Sequence, residues 1–397
     1  EYDEELVSMG KVAEAYNQII TDLNYVAQGA LNSIEDLINF NNGLLRIRED
    51  DITLLPHSPD ILSTIQIPCD WTGRETPTPV FDRYMHTLIN GDKAIEQLLL
   101  EFIGVCISNI KGWRMKKALF LVGDGDTGKS QLKSLVERLL GKGNFIGIDL
   151  KEIEARFGTG AVYGTRLAGS SDMSFLSVDD LKTFKKITGG DSLYAEFKGQ
   201  QAFEFTYNGL LWFCMNRLPK FGGDDGKWVY DRIIVVRCPN VIPKDKQDKT
   251  LLDKMYAERD GIVYKAVNAL QRVIANGYRF SEPDSVSEAR DTYMSENNTV
   301  ISFYNECMTE RPQPGSIKDI CTTGKVYDVY KAWCYDNNNG YAKPAKEFRD
   351  TLAGMHGSTF KEMTVHTEKG NCYRNLTLTL DTKKQYHREY GYDGILD

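Results

Sequence analysis

The sequence predicts an α/β core of the strand–glycine loop–helix type. Helical segments lie before and after it, and a small winged-helix-like module closes the chain. Three observations predict this. Gly123–Ser130 reads Gly-Asp-Gly-Asp-Thr-Gly-Lys-Ser and satisfies G-x-x-x-x-G-K-[ST] at every fixed position. The apolar run Ala118-Leu119-Phe120-Leu121-Val122 stands directly before it, as a buried parallel strand would. After it, Leu132, Leu135, Val136, Leu139 and Leu140 recur at helical spacing until Gly141 ends the pattern.

The residue types of the loop define its chemistry. Gly123, Gly125 and Gly128 let the backbone curl around an anion. The amides of the segment, Asp126 and Thr127 included, and the positive helix end then point at phosphates. Lys129 would reach the β- and γ-phosphates, and the Ser130 hydroxyl would ligate Mg²⁺. The expected ligand is a nucleoside triphosphate, ATP with Mg²⁺. A glycine-rich turn that binds nothing has no need of both flanks.

At 397 residues the chain has room for two or three units. No apolar stretch approaches a membrane span, and no membrane partner is expected. The chain begins Glu-Tyr-Asp, so the ordered part is expected to start downstream of the natural N-terminus. Eight cysteines are scattered without a C-x-x-C pair and read as reduced core residues of a cytoplasmic protein. The five histidines show no metal-ligand spacing. A net charge of −8 argues against a surface coated for duplex DNA. It leaves room for nucleic acid in a narrow channel, where a few lysines repeated by symmetry suffice.

Residues 1–75 form an N-terminal helical and β region. Residues 1–40 suggest helices, with Val12, Ala13, Tyr16, Ile19, Ile20 and Leu23 on one face. Phe40–Leu44 and Leu55–His57 read as turns around a short strand. Thr72–Pro79 is the linker candidate, and residues 76–111 a helical collar with a helical segment over roughly Phe81–Ser108. The core spans 112–240 and a helical segment 241–310, with Lys246–Ala275 helical. In 311–397, Arg311–Gly315 breaks the chain and Asn337–Gly340 is a turn. Val326, Val329, Tyr330 and Trp333 mark one helix, Phe348 and Leu352 a second. Glu368–Asn371 then joins the strands Thr364–His366 and Cys372–Leu380.

Three further residues of the core carry candidate chemistry. Arg166–Asp172 reads as a second strand whose terminal acid, Asp172, holds Mg²⁺ and polarises water. The bland alternative is an acidic turn, with Asp179 and Asp180 close by. Leu210–Met215 is a strongly apolar strand ending on Asn216, at the strand tip where α/β sheets bind ligands. Arg232 opens the apolar strand Ile233–Val236; it is a solvated flank unless a ring brings it to a neighbour's nucleotide.

The ordered series Lys185–Asp191, Met215–Lys220 and Asp231-Arg232-Ile233 resembles the superfamily 3 helicase domain of D5-like and P4-like phage and plasmid primase-helicases, of the AAA+ class. Phe40–Leu45 with Leu55–His57 resembles the segment preceding that domain, and Gly261–Ser281 the one following it. The resemblance covers about residues 35–380. It implies a hexameric ring that hydrolyses ATP between subunits and pulls one strand of forked or single-stranded DNA through its centre. Primase, polymerase and origin DNA become candidate partners, and the host cytoplasm the expected place.

By position, Lys129 and Ser130 match Walker A, Asp172 the Walker B acid, Asn216 sensor 1, and Arg232 the arginine finger given in trans. The family's DNA-contacting hairpin corresponds to Ala195–Gln200, with Lys198 at its tip; on sequence alone Lys198 is a solvated turn lysine. The family commonly has Glu where Asp172 stands, and Ser171 adds no second carboxylate. Many relatives also carry Arg where Asp231 stands. No primase signature is visible. Two other readings share part of these motifs: an ATP-switched initiator or loader that remodels DNA without translocating, and a small-molecule P-loop kinase. The order of Asn216 and Arg232 and the helical flanks disfavour the kinase.

Overall fold

The computed structural model describes residues 8–21, 30–174, 177–178, 181–199, 201–221, 227–310, 321–337, 342–355, 364–367, 370–373 and 376–390. Arg311–Gly315, Asn338–Gly340, Glu368–Lys369, Leu23, Asp179, Asp180 and Gln200, all singled out above, lie outside these residues.

Helix α1 spans Met9–Thr21 and is followed by an antiparallel sheet of β1 (Leu37–Phe40), β2 (Gly43–Ile47) and β3 (Ile52–Leu55). Residues 1–40 are therefore not helical throughout. Asn41-Asn42 makes a two-residue hairpin turn that pairs Phe40 with Gly43, and the apolar Leu37–Phe40 run joins the sheet. The apolar face of α1 is exposed at Val12, Tyr16 and Ile19.

The helical segment expected over Phe81–Ser108 consists of two helices, α2 (Pro79–Leu88) and α3 (Lys93–Ile107). Asn90 and Gly91, at φ 52° and 76°, break the run in the left-handed region. Asp92 then caps α3 through the amides of Ala94 and Ile95, at 2.9 and 3.1 Å.

The core follows in order: α4 (Gly112–Met115), β4 (Ala118–Val122), α5 (Lys129–Leu140), β5 (Phe145–Ile146), α6 (Leu150–Glu154), α7 (Gly158–Val162), β6 (Leu167–Ala168), β7 (Ser177–Val178), α8 (Lys182–Gly189), β8 (Leu193–Ala195), β9 (Phe203–Phe205), β10 (Leu210–Met215), β11 (Lys220–Phe221), α9 (Lys227–Tyr230) and β12 (Ile233–Arg237). Five strands form one parallel sheet in the order β12-β4-β10-β6-β5. The glycine loop leaves β4, which lies between β12 and β10.

Both sheet faces are covered, and the strands alternate between two cores. Leu119, Leu121, Trp212, Cys214, Ile234 and Val236 enter one cluster. Phe120, Val122, Phe213, Met215, Ile233 and Val235 enter the other. The first cluster continues without a break from Ile38 and Phe40 through α2, α3 and α5 to α11 (Arg259–Ala275). Gly104 of α3 lets these helices approach closely, since a Cβ there would stand 2.4 Å from the Ala266 carbonyl. Glu258, between α10 (Leu251–Ala257) and α11, accepts the Val80 and Phe81 amides and so caps α2 across 177 residues of chain.

After α12 (Asp284–Asn297) the chain builds a separate apolar cluster from α13 (Thr299–Cys307), α14 (Thr323–Asp336) and α15 (Ala345–Met355). Three short strands, Cys321–Thr322, Thr364–Thr367 and Gly370–Tyr373, pair antiparallel beside these helices. Among the described residues no helix is long and apolar enough to cross a membrane.

Candidate active site

The glycine loop sits at the C-terminal edge of the sheet, where the strand ends leave a crevice. Its closeness to the sheet fixes its glycines. A Cβ on Gly123 would lie 2.2 Å from the Cys238 carbonyl, while Gly125 faces open space. Asp126 and Gly128 take left-handed backbone conformations, φ 63° and 86°, which fold the loop back onto the first turn of α5. Ile242, beyond β12, donates its amide to the Asp126 carbonyl at 2.9 Å. The Tyr84 phenol of α2 donates to the Gly128 carbonyl at 2.9 Å.

Lys129 is buried, and its Nζ donates to the Asp124 carbonyl at 2.9 Å and to Asn216 Oδ1 at 3.0 Å. The sheet thus brings together the loop lysine and the asparagine that ends β10. The Thr127 hydroxyl is buried and has no hydrogen-bond partner among the described residues. A buried hydroxyl left unmade is costly, and a phosphate oxygen in the loop is the acceptor type that would satisfy it. Ser130 is half-buried on the first turn of α5, and Asp124, Gly125 and Asp126 are exposed.

Asp172 lies not at the tip of a long strand but on a turn. β6 is only Leu167–Ala168, and Gly169 after it lies tight against β10: a Cβ there would meet the Trp212 carbonyl at 2.0 Å. The turn is pinned to β10 by Cys214 N to Ser170 O and Met173 N to Cys214 O, both 2.8 Å. Asp172 is exposed at the same sheet edge as Asn216, one strand further from the loop. Among the described residues no group of three or more His, Cys, Asp or Glu could hold a metal by itself.

Arg232 stands at the opposite edge. It precedes β12 and bonds to the N-terminal start of β4, with Ala118 N to Arg232 O at 2.8 Å. The five residues of β4 separate it from its own loop by about 16 Å. Its Nη1 donates to Thr188 Oγ1 at 2.8 Å and to the Lys185 carbonyl at 3.2 Å. Its guanidinium lies 5.7 Å from the Trp228 ring centre, with the Lys185 ammonium 4.9 Å from the same centre. Partial burial lowers its pKa.

Lys198 is exposed between β8 and β9, which form an antiparallel hairpin joined to the start of β10 by Thr206–Gly209. Tyr163 packs edge-on to Phe197, Phe203 and Phe205, and Arg156 pairs twice with Glu196, at 3.0 and 2.8 Å, which hold the hairpin base.

Sequence reasoning missed Tyr84 and Lys133. Tyr84 gave no motif signal. Lys133 carried one, as a lysine among the inward positions of the loop helix. It also left two arginines unweighed. Arg217 is exposed beside Asn216, and Arg237 is exposed at the end of β12, level with Val122.

A central parallel sheet with a phosphate-binding type of loop at its C-terminal edge defines an α/β protein of the P-loop kind. Residues 4–90 match the D5 N terminal like family, and residues 295–379 match the Poxvirus D5 protein-like family. Two D5-like family models therefore match the chain, one on each side of the core. Residues 121–232, between those segments, match a family of unknown function (DUF5906).

Solved structures similar to the chain include an A-form apo structure of the NrS-1 C-terminal region. It is 11% identical at a TM-score of 0.47, over 94% of this chain and 91% of that one. A second A-form apo structure of that region gives 11% identity and a TM-score of 0.46 over 81% of each. No curated protein matches the chain.

Proposed function

We propose that the chain is an ATP-dependent replicative DNA helicase of the AAA+ superfamily 3 type, forming a hexameric ring that translocates on single-stranded DNA. The observation that carries this reading is the hydrogen bond from Lys129 to Asn216 Oδ1 at the mouth of the glycine loop, with the Asp172 turn beside it. The D5-like matches on both sides of the core support a replication role.

The loop amides and the start of α5 would bind the phosphates of ATP. Thr127, with its unpaired hydroxyl, and the open space at Gly125 fit that ligand. Both acceptors of Lys129 are neutral oxygens, so its charge is available to the β- and γ-phosphates. Ser130 and Asp172 would hold Mg²⁺, which supplies neutralisation of the charge on the phosphate oxygens. Asn216 would then orient the attacking water.

Arg232 is too far from its own loop to act on the nucleotide bound there. It fits a finger given across a subunit interface, which in turn requires the ring. Lys198 would grip a DNA phosphate inside the channel, and the helices and three-stranded sheet of 299–373 suit a winged-helix contact with duplex.

ATP-dependent unwinding of forked duplexes with either a 3′ or a 5′ loading strand tests the reading, with Lys129→Ala as control. Unwinding lost in the control establishes a motor. DNA-stimulated hydrolysis without unwinding replaces it with the ATP-switched initiator or loader.

A further inference from the structure

Four residues beyond Lys129, on the same face of α5, Lys133 has a side chain only 1% exposed. Its ammonium pairs with Glu137 one turn on and stands 3.5 Å from Ser171 Oγ. A buried ion pair is expensive to desolvate, and an apolar side chain of similar volume would pack there at less cost. The neighbours on the helix, Leu132, Leu135, Val136 and Leu139, show that the surroundings accept apolar groups. Besides Glu137, the ammonium reaches one other side chain among the described residues, and that one is Ser171, the residue before Asp172. The Ser170–Met173 turn is held on its other side only through the backbone of Cys214 among the bonds described. Cys214 in turn reaches the Lys129 carbonyl with its thiol, at 3.6 Å.

We infer that Lys133 is a positioning residue that locks the Asp172 turn to the phosphate-loop helix, so that Ser130 and Asp172 keep a fixed separation. This rests on the nucleotide-site reading above. Glu137 balances the charge and holds the ammonium at the height of Ser171. Lys129 and Lys133 then divide one helix face between them, the first serving the ligand and the second serving the acid that faces it. Removing the charge would leave the loop able to bind nucleotide and would loosen only the carboxylate across from it.

The test uses the full chain with Lys133→Met, Lys133→Arg and Ser171→Ala. Binding of a fluorescent ADP analogue without Mg²⁺ is read beside steady-state hydrolysis at several Mg²⁺ concentrations. Lys133→Met should bind the analogue within about twofold of wild type, lower kcat about tenfold with KM little changed, and raise the Mg²⁺ needed for half-maximal rate. Lys133→Arg should recover most of the rate. Ser171→Ala leaves no buried charge unpaired and should move kcat and Mg²⁺ demand in the same direction. Joined to Lys133→Met it should add little, because both act on one contact.

A Lys133→Met protein with wild-type kcat and Mg²⁺ demand overturns the inference. So does one that loses analogue binding and rate together. If Lys133→Met fails to fold, a silent Ser171→Ala overturns it. A wild-type chain that hydrolyses no nucleotide removes the underlying reading and this inference with it. Hydrolysis abolished by Lys129→Ala shows the reading intact, and the other variants then decide the inference alone.

Discussion

The two edges of the parallel sheet are built on different principles. At the C-terminal edge, charge is handled by backbone and neutral groups: loop amides, the Asp124 carbonyl, the Asn216 amide and the unpaired Thr127 hydroxyl. Asp124, Gly125, Asp126 and Asp172 are exposed there. At the N-terminal edge, Arg232 is held by Thr188, by the Lys185 carbonyl and by the Trp228 ring, beside Lys185 itself. The first edge is shaped to receive an anion, whereas the second presents a cation that no anion of its own loop can reach. Under the proposed reading, the two edges would be two halves of one chemistry, facing away from each other.

The largest expected effect breaks the receiving edge. Lys129→Ala should reduce ATP hydrolysis by about a hundredfold or more, measured by phosphate release. Next comes the presenting edge. Arg232→Ala should cost on the order of a hundredfold, and mixing it with Lys129→Ala should restore part of the rate, because each supplies the half the other lacks. Arg237→Ala, on the receiving edge, provides the contrast. If it abolishes hydrolysis while Arg232→Ala does not, the finger lies in cis and the comparison fails.

Alkaline pH should loosen the receiving edge. Burial pushes the thiols of Cys214 and Cys238, which line the back of the loop, up to about 12. The folded state keeps these protons where the unfolded chain, with thiols near 8.5, has lost them. Their stabilisation is therefore full below about pH 8.5 and lost as pH rises towards 12. Melting temperature should fall over that window, and Cys214→Ser should flatten the fall.

Lys198→Ala should weaken single-stranded DNA binding by about tenfold and lower the salt slope by about one, leaving ADP binding unchanged. Smallest of all, Tyr84→Phe removes one hydrogen bond to the loop and should cost about 1 kcal/mol in chemical denaturation.

The receiving edge was legible in the sequence because its parts are local. An octet, a preceding apolar run and a following helix occupy Ala118–Gly141, and each has its own periodicity. Asn216 was legible as the end of an apolar strand. Asp172 was placed at the sheet edge but on the wrong kind of element, because β6 ends at Ala168 and the turn beyond it is held by the Cys214 backbone, a long-range contact that no local pattern encodes. The partners of Arg232 were not legible either. Thr188 reaches it across 44 residues of chain, while Trp228, four residues before it, carried no motif signal. On α1 the apolar periodicity was legible, but Val12, Tyr16 and Ile19 are exposed, since spacing defines a face and not what covers it.

The continuous apolar cluster that runs from Ile38 to Val286 has a practical meaning for anyone who would trim this chain. The composition break at Thr72–Pro79 invites a cut, and so does the start of the core at Gly112. The first cut would strip Ile38, Phe40, Leu45 and Ile67 from the cluster, and the second would also take Phe81, Leu99 and Phe102 and the phenol that braces Gly128. The excised fragment would keep every motif of the phosphate loop and still present a raw apolar flank to water. The smallest self-sufficient piece bearing the loop therefore begins before residue 38 and ends beyond residue 286.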